Sequence, residues 1–190
     1  MTLINKMLIV GALALAAGNA AATDGQIIFN GEIIESTCEI NTPNREVNVE
    51  LGSYNRYQFR AAGDRSPKIP FTLPLINCPM TAWEHIDGTK DASFQLWLET
   101  RSGGTVVNHP DLAKVSSMTT AADGVGIQIE DAKTQTIIPL NRLATPKISY
   151  KITGATMNVD LFAYYVSTEA PADITAGEAD AAVDVTLDYR

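Results

Sequence analysis

The chain has 190 residues, with 14 Lys and Arg against 22 Asp and Glu, a formal net charge of −8 at neutral pH. That acidic balance argues against nucleic acid or an anionic membrane surface as partner, because both demand clustered basic residues. Its 45% hydrophobic content is enough for a sizeable packed core, so the chain is not a disordered one.

Lys6 opens a basic n-region, residues 7–17 form an apolar stretch, and Gly18 and Ala20, Ala21 and Ala22 supply small residues for cleavage. The pattern predicts a secretory signal over residues 1–22, cut between Ala20 and Thr23. A membrane anchor needs about 18 apolar residues, and this run is shorter. No second run of that length follows, so no membrane span is expected. Lys6 is the one charge within the signal; removing it leaves 14 − 1 = 13 basic and 22 acidic residues, a net of −9.

The new N-terminus would be Thr23-Asp24-Gly25-Gln26-Ile27-Ile28-Phe29-Asn30-Gly31, with Gly25, Ile27 and Phe29 at alternate positions. Free chain ends are usually polar and frayed. A strand-forming end therefore needs a partner, in its own domain or in another chain.

Short alternating segments follow. Ile33, Ile34 and Ile40 surround Cys38, and Val47, Val49 and Leu51 alternate with Asn48 and Glu50. Phe71, Leu73 and Leu75 alternate towards Cys78, with Pro70 and Pro74 marking an edge or irregular strand. Further sets are Phe94, Leu96 and Leu98; Val125, Ile127 and Ile129; residues 137–140; Ile148, Tyr150 and Ile152; and residues 159–166. The last set is Val183, Val185, Leu187 and Tyr189, alternating with Asp184, Thr186 and Asp188. A period of two over short segments, punctuated by Gly and Pro, predicts an all-β sandwich. Residues 80–85 and 110–117 read as the two weak helical candidates. Nothing divides the mature chain into two domains.

Cys38 and Cys78 are the only cysteines. In an exported chain such a pair reads most simply as one disulfide, with a metal pair or a catalytic thiol as alternatives that only His85 and His109 could assist. No nucleophile elbow, zinc-protease helix or phosphate loop is present. Asp87-Gly88 and Asp123-Gly124 read as turns. No catalytic residue, metal or cofactor is expected. Trp83 and Trp97 could line a sugar site; Trp97, between Leu96 and Leu98, reads first as sheet surface. This keeps open a second function, a self-contained secreted β-sandwich that binds carbohydrate directly.

Four groups of residues, in order, resemble the pilin subunits of chaperone–usher pili, of the type 1 and P pilus kind. They are Phe29-Asn30-Gly31-Glu32-Ile33-Ile34 with Cys38-Glu39-Ile40; Val49-Glu50-Leu51-Gly52 with Phe59, Gly63 and Phe71-Thr72-Leu73-Pro74-Leu75 up to Cys78; Gly124-Val125-Gly126-Ile127-Gln128-Ile129-Glu130-Asp131; and Phe162-Ala163-Tyr164-Tyr165 with Gly177-Glu178-Ala179-Asp180-Ala181 and the penultimate Tyr189. Gly177 stands fourteen residues from the C-terminus, as a glycine does in that family.

The resemblance implies an incomplete immunoglobulin-like sandwich that lacks its last strand and is completed by donor-strand exchange. It divides the mature chain into a donor extension, residues 23–30, and a pilin domain, residues 31–190. Gly25, Ile27 and Phe29 would point inward from the donor strand, with Thr23 the most distal inserted residue. Gly177, Val183, Val185, Leu187 and Tyr189 would form the acceptor groove and the chaperone contact, and a Cys38–Cys78 bond would hold the other wall. The implied partners are neighbouring pilin subunits, a periplasmic chaperone and an outer-membrane usher, and the implied location is an adhesive fimbrium reached through the periplasm. Typical shaft subunits are richer in Ala, Gly and Thr, and the two tryptophans and the charged stretch Trp83-Glu84-His85-Ile86-Asp87 leave open a main shaft subunit, a minor tip adapter or a terminator at the base.

Overall fold

The computed structural model describes residues 28–31, 37–101, 104–115, 120–141 and 147–189. The chain separates into two units, residues 1–35 and 36–190. Of the first, only residues 28–31 are described; Phe29 is 89% exposed and Ile28 is exposed beside it. Thr23, Gly25 and Ile27, read from sequence as inward-pointing, lie outside the described residues, as does the signal.

The described residues of the second unit form eleven strands: β1 (Glu39–Ile40), β2 (Ile69–Ile76), β3 (Trp83–Glu84), β4 (Lys90–Asp91), β5 (Ser93–Thr100), β6 (Thr105–Val106), β7 (His109–Lys114), β8 (Val125–Asp131), β9 (Ile148–Lys151), β10 (Met157–Ser167) and β11 (Val183–Asp188). Six form one antiparallel sheet in the order β1-β2-β10-β8-β7-β6. Three form a second, β11-β5-β9, and β3 and β4 pair as a hairpin. The expected all-β sandwich is the observed fold.

The core lies between the two sheets. Leu73 and Leu75 of β2, Val159, Leu161 and Ala163 of β10, and Ile127 and Ile129 of β8 meet Phe94, Leu96 and Leu98 of β5 and Ile148 of β9. The period of two read from sequence is thus the burial period. Each fully buried Leu, Ile, Val or Phe contributes about 1.5–3 kcal/mol.

β8 is buried on both faces. Its odd residues enter the core, while Gly126, Gln128 and Glu130 face a smaller cluster around Leu112, Tyr164 and Val166. A Cβ on Gly126 would lie 2.9 Å from Val106 Cγ2 and 3.0 Å from Leu112 Cβ, so glycine is what lets the β6–β7 layer close over β8. Glu130 pairs with Lys68, and its Oε2 accepts from the Tyr164 hydroxyl at 2.8 Å. Burial pushes the Glu130 carboxyl up, but the Lys68 and Tyr164 contacts outweigh it and hold the carboxyl below its ordinary pKa. At the end of the strand, Asp131 accepts from the Tyr150 hydroxyl of β9 at 2.6 Å and from the Thr134 backbone N–H at 2.6 Å. The Tyr150 bond ties one sheet to the other through the core.

Three sequence readings change. Of residues 110–117, the described part, 110–115, is not helical: Leu112 and Ala113 of β7 face opposite sides of the sheet and both are buried. A strand covered on both faces loses its alternation and imitates a short helix. Residues 80–85 hold the two-residue strand β3, paired across a turn with β4. Val47, Val49 and Leu51 do alternate in burial with exposed Asn48 and Glu50, yet they pair with no strand among the described residues.

Candidate functional site

Four strands lie at the edges of the two larger sheets among the described residues, β1, β6, β9 and β11, and two of them, β11 and β1, are brought close to each other. β11 pairs with β5 on one side, and no described strand takes its other side. The Arg101 backbone N–H donates to the Ala182 carbonyl at 3.0 Å, in the same register that pairs Val183 with Thr100. Hydrogen-bonded pairs alternate along an antiparallel ladder. Even-numbered residues of β11 therefore bond to β5, and Val183, Val185 and Leu187 turn their N–H and C=O groups to the open edge. Their side chains are half-buried and pack against the core cluster. Such an edge, apolar and unpaired, invites a strand from another chain.

The first strand supplies the second open edge. Glu39 pairs with Ile76, and Asn41 N–H donates to the Pro74 carbonyl at 2.9 Å. Odd residues here face β2, so the backbone of Cys38 and Ile40 faces away from it. Pro74 has no N–H to return, which leaves this strand thinly laddered. Its anchor is covalent: Cys38 and Cys78 form a disulfide, closing a sequence separation of 40. The simplest reading of the two cysteines is the observed one, and it accounts for both; the metal and thiol alternatives fall.

Tyr189 ties the two edges together at one end. Its hydroxyl oxygen accepts from the Cys38 backbone N–H at 2.7 Å, a contact across 151 residues of sequence. Burial raises the Tyr189 pKa, and the bond from Cys38 opposes that rise only in part. The Tyr189 carbonyl accepts from the Trp83 indole N–H at 2.7 Å, and its ring lies 5.6 Å from that of Trp83 and 5.8 Å from that of Phe94. At the opposite end Arg101 pairs with Asp184 at 2.7 Å. The hydrogen bond and charge of Asp184 raise the Arg101 pKa, and Glu46, at the start of the Val47–Leu51 segment, adds to that effect. Cys38 thus reaches Tyr189 at one end of β11, and at the other Glu46 acts on Arg101, the partner of Asp184.

Gly177 lies outside this edge. An added Cβ there would sit 2.2 Å from the Thr120 carbonyl oxygen, because Glu178 bonds in parallel to the 120–122 chain. Close backbone approach explains the glycine. Val183, Val185, Leu187 and Tyr189, in contrast, all gather on the open side of β11. Sequence reasoning did not find Trp83 or Arg101 as neighbours of that strand, since no local pattern signals contacts made across 83 to 106 residues.

The surroundings of His85 do not form a serine triad. His85 Nε2 lies 2.9 Å from Asp91 Oδ1, and Ser93 donates to that same oxygen at 2.6 Å, with Ser93 Oγ 3.4 Å from the same His85 nitrogen. A serine triad needs the carboxylate and the hydroxyl on opposite ring nitrogens. Here both meet one nitrogen, and the serine's proton points to the acid. Among the described residues no three His, Cys, Asp or Glu side chains converge as a metal site. No helix among them is long and apolar enough to cross a membrane. Of the two tryptophans weighed for sugar binding, Trp83 is engaged by Tyr189, and Lys147 stands 5.0 Å from the ring of Trp97.

Comparison with known proteins agrees with this geometry. The family model described as fimbrial protein matches residues 27–190. An uncharacterized fimbrial-like protein of Escherichia coli K12, YraH, is 58% identical over 100% of both chains. The probable major fimbrial subunit LpfA of Escherichia coli O157:H7 is 34% identical, over 94% of this chain and 93% of its own. Among solved structures, the P pilus rod subunit PapA superposes with a TM-score of 0.61 at 19% identity, covering 82% of this chain and 100% of PapA. That likeness speaks to the fold, an incomplete immunoglobulin-like sandwich, and the sequence relatives speak to descent. The chain belongs to the fimbrial protein family and is a structural subunit of an extracellular pilus of the chaperone–usher type.

Proposed function

We propose that this subunit polymerises by strand insertion: residues 23–30 of one copy, or of a sister subunit, enter between β11 and the first strand of the next. The observation that carries the reading is the open edge of β11, where, among the described residues, no strand takes the backbone groups of Val183, Val185 and Leu187, whose side chains are half-buried. Adding a strand there satisfies the ladder through the main chain and selects through alternate side chains. In the donor, Gly25, Ile27 and Phe29 point inward and Thr23 is the most distal inserted residue. Burying Ile27 and Phe29 contributes about 1.5–3 kcal/mol each. The exposure of Phe29 fits a residue whose partner is another molecule.

Under the same reading residues 1–22 direct export, and a periplasmic chaperone covers the β11 edge, Tyr189 included, until an outer-membrane usher exchanges it for the next subunit. The product is an adhesive fimbrium, and the subunit itself performs no catalysis. Deleting residues 23–30 tests this. The shortened subunit is expected to accumulate as a soluble complex with its chaperone and to fail to enter a neighbour. Detergent-stable ladders of the deletion variant on a gel would overturn the proposal.

A further inference from the structure

We infer that Trp83 is the end-stop that sets the register of the inserted strand. The inference rests on the strand-insertion reading of the β11 edge and names the residue that fixes alignment there. Odd residues of β11 face the open edge, and the same alternation turns the Tyr189 carbonyl to that side. That carbonyl already accepts from the Trp83 indole N–H at 2.7 Å, a bond that competes with an incoming N–H. The Tyr189 side chain is held as well, by Cys38 and by the rings of Trp83 and Phe94. An incoming strand can therefore bond fully at Val183, Val185 and Leu187, and its ladder stops before Tyr189. Three ladder positions two residues apart take Gly25, Ile27 and Phe29, and Thr23, the most distal inserted residue, is left past the end of the ladder.

Trp83 is held in place by its own hairpin. Trp83 pairs with Asp91 and Glu84 with Lys90, the His85 N–H donates to the Thr89 carbonyl at 2.8 Å, and the His85 ring lies 5.5 Å from the indole. The charged stretch Trp83-Glu84-His85-Ile86-Asp87 thus carries the stop. Removing the indole N–H frees the Tyr189 carbonyl as a fourth acceptor. A strand could then slide towards Tyr189 by two residues, the smallest slip that keeps its apolar face inward.

The test uses the full chain refolded with excess synthetic peptide of residues 23–31 carrying a photoreactive side chain in place of Ile27, with the linked residue mapped by mass spectrometry. The wild-type chain should link at one position. Trp83→Phe keeps an aromatic ring but has no N–H to donate, and should add a second link two residues nearer Tyr189, raised about fivefold over wild type for the loss of one competing hydrogen bond. Trp83→Phe with a single, unmoved link and unchanged peptide affinity would overturn the end-stop while leaving strand insertion standing. A wild-type chain that takes up no peptide would overturn both.

Discussion

β8 and β11 are both strands of alternating apolar residues, and they differ in what surrounds them. β8 lies between β10 and β7, both of its faces are buried, and its Glu130 and Asp131 are fully engaged. β11 has a neighbour on one edge only among the described residues, and its inward valines and leucine are half-exposed. A buried strand spends its residues on its own fold. A half-buried edge leaves burial unfinished, and another chain can complete it.

The largest expected effect separates the two strands with the same substitution. Ile127→Asp in β8 buries an unpaired charge and should cost more than about 4 kcal/mol, a large part of a small domain's stability. Its subunit should be recovered only as aggregate or degradation products. Phe29→Asp in the extension should leave the subunit folded on its chaperone and abolish fibres in electron micrographs, whereas Val185→Asp, on the edge that chaperone and donor strand share, should weaken capture by both. Normal fibres from either would break the contrast.

Next in size is the disulfide. Cys38→Ser releases the first strand, one side of the open edge, and should lower stability by about 4 kcal/mol in the chain-entropy account of a loop of this length. Denaturant unfolding of the peptide-complemented subunit measures it. A smaller loss, about 1–3 kcal/mol, is expected for Gly126→Ala, because Val106 and Leu112 must move to admit the methyl. That variant tests the closed side of the molecule, and its fibre assembly should be normal wherever the subunit folds.

The smallest effect is in the pH profile. Glu130 and Asp131 titrate below their ordinary values of 4.5 and 3.8, so their contribution is present above those values and fades as pH falls through the lowered ones. Burial and the Asp131 hydrogen bond push Tyr150 upward from 10.0, so its contribution is complete below pH 10 and fades as pH rises above it. Thermal unfolding should show a plateau between about pH 5 and 10, and Tyr150→Phe should flatten the alkaline limb. An unchanged alkaline limb would show that the Tyr150–Asp131 bond between the sheets adds no pH dependence.

Much of the fold could be read from spacing alone. The apolar sets at residues 94–98, 125–129, 148–152 and 183–189 became strands or their immediate extensions, because a period of two is what a sheet with one buried face requires. The 110–117 segment was misread for the converse reason, since burial of both faces erases the period. The Val47–Leu51 set shows a third outcome. Its alternation correctly gives the buried side, yet whether a ladder forms depends on a neighbouring strand that local sequence does not contain.

The candidate site divides the same way. Val183, Val185, Leu187 and Tyr189 were legible as one face of a final strand, and Cys38 with Cys78 as a pair, because alternation and cysteine count are local properties of the chain. That the outer edge of β11 is open, that Tyr189 reaches Cys38, and that Trp83 caps the last carbonyl were decided by tertiary structure. Sequence by itself determined which side chains turn inward, since backbone geometry forces the alternation. Only the folded chain determined which edges lack a partner, because an edge is defined by the strands that are not beside it.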